Sequence, residues 1–138
     1  RAAPKSTGRE YFNLPWLQAR IANTAGNADF DATDIQATLS ALTATSIAQA
    51  CLRHSPSAAS LFLCGGGAHN QHLTDLLAHR LPDVTVQTTA ALGLHPDWVE
   101  AAAFAWLARQ RLNGIPVNCP SVTGAERETL LGGVFRRE

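Results

Sequence analysis

Lysine is all but missing from this chain: Lys5 is the only one. Among 138 residues, 11 Lys and Arg balance 11 Asp and Glu, so the formal net charge is zero. Non-specific nucleic-acid binding draws on clustered cations that displace counterions, and no such excess exists here. Cysteine is sparse as well. Cys51, Cys64 and Cys119 lie far apart, are odd in number and form no C-x-x-C. That pattern supports neither a disulfide framework nor a zinc site, and it suits a reducing cytoplasm. The opening RAAPKSTGRE holds no apolar stretch that would read as a signal peptide. The uncharged run from Ile35 to Leu52 has too much Thr, Ser and Gln for a membrane span. It reads instead as a helix buried within a soluble protein.

What is present suits one compact unit with a real core: 46% of residues are hydrophobic and 16% charged. The first residues are loop-like and turn amphipathic around Leu14, Trp16 and Leu17, where Asn13 can cap a short helix with Pro15 in its first turn. A long helix is predicted from about Thr33 to Arg53, with Asp31 or Thr33 at its start and Ile35, Leu39 and Leu42 on one stripe. Small residues cover much of the rest of it, which lets other elements approach closely. LFLC (61–64) reads as a central parallel strand, apolar throughout. Leu73, Leu76, Leu77 and Leu81 space a helix that begins near Asn70, and VTVQT (84–88) is a second strand. A further helix runs from about Asp97 to Asn113, stopped by Gly114 and Pro116. The order strand, helix, strand, helix defines an α/β unit. Two strands make a small sheet for so many helices, so the chain looks like part of something larger.

Four segments carry candidate chemistry. Gly65-Gly66-Gly67 with Asn70 joins the first strand to its helix. Glycines let backbone N–H groups approach a ligand, and a following helix adds unpaired donors and a partial positive charge. The segment reads either as a cradle for a nucleotide's phosphates or ribose, or as a tight corner with Asn70 as N-cap. It has neither the Lys-Ser/Thr of a Walker A motif nor G-x-G-x-x-G spacing. PKSTGRE (4–10) packs two cations and two hydroxyls into a short span, which suits an anion, a sugar hydroxyl or simply a solvated loop. Asp97-x-x-Glu100 reads as a capping box at a helix start, or as a carboxylate aimed at a sugar. His69-x-x-His72, with His79 beyond, has helical spacing for two imidazoles but no evident third metal ligand, and reads mainly as surface histidines. Trp98 and Trp106 read as packing residues.

Taken together, PKSTGREYFN (4–13), CGGGAHN (64–70), DWVEAAAFAWLA (97–108) and CPSVTGA (119–125) resemble the anhydro-N-acetylmuramic acid kinases in their C-terminal half. The segments occur in the family's order, with family-like spacing, across essentially the whole chain. The resemblance implies a lobe of the actin-like ATPase/sugar-kinase (ribonuclease H-like) fold, with ATP and Mg²⁺ in a cleft between two lobes. It implies a cytoplasmic, homodimeric enzyme that opens the 1,6-anhydro ring of its amino sugar with water and phosphorylates O6. Carried onto this sequence, Gly65, Gly66, Gly67 and Asn70 would lie on the nucleotide side, and Ser6, Thr7, Arg9 and Glu100 would face the sugar.

The family's Gly-Thr-Ser segment leading to Asp-Gly, and the Asp-Gly-rich segment with its proposed catalytic base, have no counterpart, and no Asp-Gly dipeptide occurs. The expectation is therefore that residues 1–138 form a C-terminal lobe or part of one, inactive without the N-terminal lobe. A non-catalytic nucleotide-binding or interaction module of the same fold, or another actin-like sugar kinase, are the alternatives.

Overall fold

A computed structural model describes residue 8, residues 10–25 and residues 30–135. Its elements are α1 (Leu14–Ala25), α2 (Ala32–His54), β1 (Ser60–Leu63), α3 (Gln71–Arg80), β2 (Thr85–Thr88), α4 (Val99–Leu112) and α5 (Pro120–Thr123). Short 3₁₀ turns at Gly66–His69, Thr89–Leu92 and Pro96–Trp98 connect them. The arrangement is α/β, as the sequence predicts.

Contacts divide the chain into two compact units, Phe30–Ala102 and the paired segments Arg1–Asp29 and Ala103–Glu138. Composition alone suggests a single unit. The reason for the division is where the core lies: Ala44, Ala48, Leu77 and Leu81 are the buried hydrophobic residues among those described, and all belong to the first unit.

That unit is built on β1 and β2, which pair in parallel with Leu61 opposite Val86 and Leu63 opposite Thr88. Helix α3 connects them and packs on β2 and on α2. The face that α2 presents inward is the small one. Ala41, Ala44, Thr45 and Ala48 recur at three- and four-residue steps and are buried or half-buried, so α3 approaches without large side chains between. Arg80 Nε donates to Thr45 Oγ1 at 3.0 Å and ties the end of α3 to the same face. The predicted stripe of Ile35, Leu39 and Leu42 is only partly inward: Ile35 and Leu39 are half-buried, but Leu42 is 50% exposed. Close packing by alanines displaces the stripe from the large residues to the small ones.

Helix starts follow local chemistry. Asp31 caps α2 and accepts from the Thr33 N–H at 2.6 Å. The Thr33 backbone bond, then the Thr33 side chain, hold the Asp31 carboxyl below its ordinary value of 3.8, with a small opposing effect of desolvation. A carboxyl with a depressed pKa stabilises the fold above its unfolded value and loses that contribution on acidification. The start of α2 is therefore expected to hold down to about pH 4 and to loosen below it. The Thr33 amide signal reports this, and Asp31→Ala should abolish the acid-dependent change.

The other unit holds α1, capped by Asn13, whose Oδ1 accepts from the Trp16 N–H at 3.0 Å. Tyr11, Phe12 and Trp16 form edge-on aromatic contacts at its start, with ring centroids 5.0 Å apart for Tyr11–Phe12 and 5.1 Å for Phe12–Trp16. Gly124, in the left-handed region, closes α5 by donating to the Pro120 carbonyl. Tryptophan packing is only partly realised: in the first unit Trp98 is 66% exposed, with its ring 5.7 Å from that of His95, and in the second Trp106 is 50% exposed.

Candidate functional site

In a parallel sheet, ligands gather beyond the carboxyl ends of the strands. Here β1 ends at Leu63 and β2 at Thr88, side by side. The segment after β1 is the glycine turn. Gly65 has φ 67° and ψ −167°, a conformation essentially reserved for glycine. Its N–H donates to the Pro96 carbonyl at 3.0 Å. The chain then winds through the 3₁₀ turn, with Ala68 N–H on the Gly65 carbonyl and Asn70 N–H on the Gly67 carbonyl. The N–H groups of Gly66 and Gly67 meet no acceptor among the described residues. Both glycines are exposed. A Cβ at Gly66 would meet nothing within 4 Å, and one at Gly67 only the Leu73 side chain at 3.9 Å. Two consecutive backbone N–H groups thus stand without an acceptor among the described residues at a strand end.

Asn70 does the work of a cap: its Oδ1 accepts from the Leu73 N–H at 3.1 Å and starts α3. Its amide nitrogen makes no hydrogen bond among the described residues and stays a potential donor.

The segment leading into α4 completes the edge. His95, rather than Asp97, caps the Pro96–Trp98 turn, with Nδ1 accepting from the Asp97 N–H at 3.3 Å. The predicted capping box is therefore not formed. Asp97 instead reaches across to the glycine turn, where His69 Nε2 donates to Asp97 Oδ1 at 2.6 Å. The His69 hydrogen bond holds the Asp97 carboxyl below its ordinary 3.8. Slight desolvation opposes this, and the charges of His69 and His95 add to it. Glu100 follows on the exposed first turn of α4.

The structure thus brings the turn of Gly65, Gly66, Gly67 and Asn70 against Pro96 and Asp97, with Glu100 three residues further on in α4. Ser6, Thr7 and Arg9 lie outside the described residues. His69 was legible only as a surface histidine, and the signal that assigns it a partner is spatial, since Asp97 is 28 positions away. His72 and His79 are exposed, and no group of three metal-ligating side chains occurs among the described residues.

The described residues thus form an α/β unit with two unpartnered backbone N–H groups just beyond the end of β1, the edge of a parallel sheet where ligands generally bind. The family described as anhydro-N-acetylmuramic acid kinase matches residues 1–137. Anhydro-N-acetylmuramic acid kinases of Coxiella burnetii (strain Dugway 5J108-111) and Legionella pneumophila (strain Corby) are each 51% identical to this chain. The alignments run over 132 and 133 residues, 96% of the chain in both cases. This chain belongs to the anhydro-N-acetylmuramic acid kinase family. It spans about a third of the length of these curated relatives, 34% and 35% respectively.

Proposed function

We propose that this chain is the C-terminal, nucleotide-binding part of an ATP-dependent anhydro-N-acetylmuramic acid kinase with the actin-like sugar-kinase fold. The observation that carries the reading is the pair of unpartnered N–H groups at Gly66 and Gly67, beside a parallel strand end. Such donors suit phosphate oxygens. Asn70 extends the same edge, and Glu100 is available to a sugar hydroxyl on the next segment. Ser6, Thr7 and Arg9 complete the sugar side in this reading.

The proposed reaction joins two bond changes. Water attacks the anomeric carbon and gives up a proton to the base as the C1–O6 bond of the 1,6-anhydro bridge breaks, and the freed O6 takes the γ-phosphoryl group from ATP, releasing ADP and giving N-acetylmuramic acid 6-phosphate. Such transfer depends on positioning and on neutralising charge along the phosphates. The described residues offer no three-ligand metal set. In this reading Mg²⁺ travels with the bound ATP, on its phosphates. The base that activates water is assigned to the N-terminal lobe, so that this chain alone turns over no substrate. A cytoplasmic homodimer is the assembly that goes with the reading.

The test is an Mg-ATP titration of the isotopically labelled chain, followed through its backbone amide signals. Saturable shifts centred on Cys64 to Asn70 are expected, without phosphorylation of the anhydro sugar. A dispersed spectrum that Mg-ATP leaves unmoved would overturn the nucleotide assignment, and sugar phosphate formed by the chain alone would overturn the assignment of the base to the other lobe.

A further inference from the structure

Between the glycine turn and the start of α4 runs a second connection that the nucleotide reading does not use. Two bonds fasten these segments. One is the backbone bond from Gly65 N–H to the Pro96 carbonyl, at 3.0 Å. The other is the side-chain bond from His69 Nε2 to Asp97 Oδ1, at 2.6 Å. They hold opposite ends of the same short turn, since Gly65 precedes it and His69 is its last residue. One bond alone leaves a turn free to pivot, whereas two bonds at its two ends fix its orientation.

The segment they fasten it to is itself well anchored. Pro96 is buried, and its proline ring sets φ at the first position of the turn. His95 caps that turn and keeps the Asp97 N–H satisfied. The Asp97 carboxylate is therefore presented from backbone held by the buried Pro96 and the His95 cap. His95 Nδ1 lies 3.8 Å from Asp97 Oδ2, so two imidazoles face this one carboxylate. Glu100 sits three residues on, one turn into the helix that this base begins.

Exposed ion pairs contribute little to overall stability because water and salt screen them. Both partners here are about half exposed, with 57% of the His69 and 49% of the Asp97 side-chain surface open. A pair of this kind does little to keep the chain folded. What it joins is geometry: the last residue of the turn that carries Gly66 and Gly67 is tied to Asp97, three residues before Glu100.

We infer that His69 and Asp97 are positioning residues: their bond clasps the glycine turn to the start of α4 and holds the phosphate donors in fixed register with Glu100. The inference rests on the nucleotide reading of the turn. In it, neither side chain touches ATP. They act through the backbone of residues 65–70.

The experiment compares the 138-residue chain with His69→Ala, Asp97→Ala, the double variant, and the conservative pair His69→Gln and Asp97→Asn. The latter two keep a donor and an acceptor at the same places. Three quantities are read on each: the ligand-free amide signals of residues 65–70, the affinity for Mg-ATP, and the thermal unfolding midpoint. Either alanine variant should move the signals of residues 65–70 and weaken Mg-ATP by about threefold to tenfold, with the double variant no weaker than the singles, as for partners in one interaction. The conservative variants should recover most of the affinity. The midpoint should change by no more than about 2 °C in any of them.

The clasp is overturned if the ligand-free signals of residues 65–70 stay in place in both alanine variants, if their effects on Mg-ATP simply add, or if affinity falls only in step with the midpoint. A wild-type chain that binds no Mg-ATP refutes the nucleotide reading instead. The ligand-free comparison then still decides whether the bond orients the turn.

Discussion

Gly66→Val is expected to leave the chain folded and to weaken Mg-ATP binding by roughly tenfold or more, a loss of about 1.4 kcal/mol or greater. The expectation has two halves, and the structure supplies both. Gly66 does not have positive φ, and a Cβ there meets nothing within 4 Å. The backbone and its surroundings therefore tolerate a side chain. A phosphate oxygen, by contrast, must come within about 3 Å of the N–H that receives it. A valine side chain beside that N–H occupies the approach. Circular dichroism and thermal unfolding check the first half, and the Mg-ATP titration checks the second. If the variant folds and keeps full affinity, the turn is a corner and the nucleotide assignment fails.

Gly65 makes the necessary contrast. Its φ of 67° with ψ of −167° is costly for any residue with a Cβ, although nothing lies within 4 Å of that position either. Strain of this kind is of order 1–3 kcal/mol. Gly65→Ala should accordingly lower stability by about that amount, with affinity falling because the turn itself is distorted. Adjacent glycines thus serve different ends, one for backbone conformation and one for access.

Leu77→Ala is expected to destabilise the Phe30–Ala102 unit by about 2–5 kcal/mol. Leu77 has no exposed surface, and with Leu81 it is one of the two largest fully buried side chains. The alanines of α2 offer no bulk to fill the space left behind, so the cavity term adds to the lost transfer energy. Against a domain stability of about 5–15 kcal/mol, that is a large share. Urea unfolding followed on the α3 amide signals should show a lower midpoint, and Leu77→Met should restore most of it, since volume is largely kept. Leu42→Ala is the control: Leu42 is 50% exposed, and its loss should stay within about 0.5 kcal/mol. A Leu77→Ala effect as small as the control would contradict the close packing of α3 on α2.

Much of this is legible in the sequence alone. The caps at Asn13, Asp31 and Asn70 depend on residues two or three positions away: Asn13 forms as predicted, Asp31 is the one of two offered starts that caps α2, and Asn70 caps α3 as the tight-corner reading had it. Helix α3 was legible from its leucine spacing, and β1 from an apolar run bounded by turn residues. Helix α2 was legible in extent but not in orientation. Its large residues suggested one face, and its alanines won because close approach of α3 favours small side chains there. The role of Asp97 was misread for a related reason. A capping box is a local pattern, and a histidine 28 residues upstream competes for the same carboxylate.

The sequence by itself determined the α/β class, the starts of α1, α2 and α3 and the family, because these rest on short-range patterns and on motifs that keep their order along the chain. Tertiary structure alone decided three things: that Gly65 is the strained glycine, that Gly66 and Gly67 present open donors, and that His69 meets Asp97. Parallel pairing of β1 with β2 sets their carboxyl ends together, so segments far apart in sequence leave the sheet at one edge. No property of either segment taken alone encodes that neighbourhood.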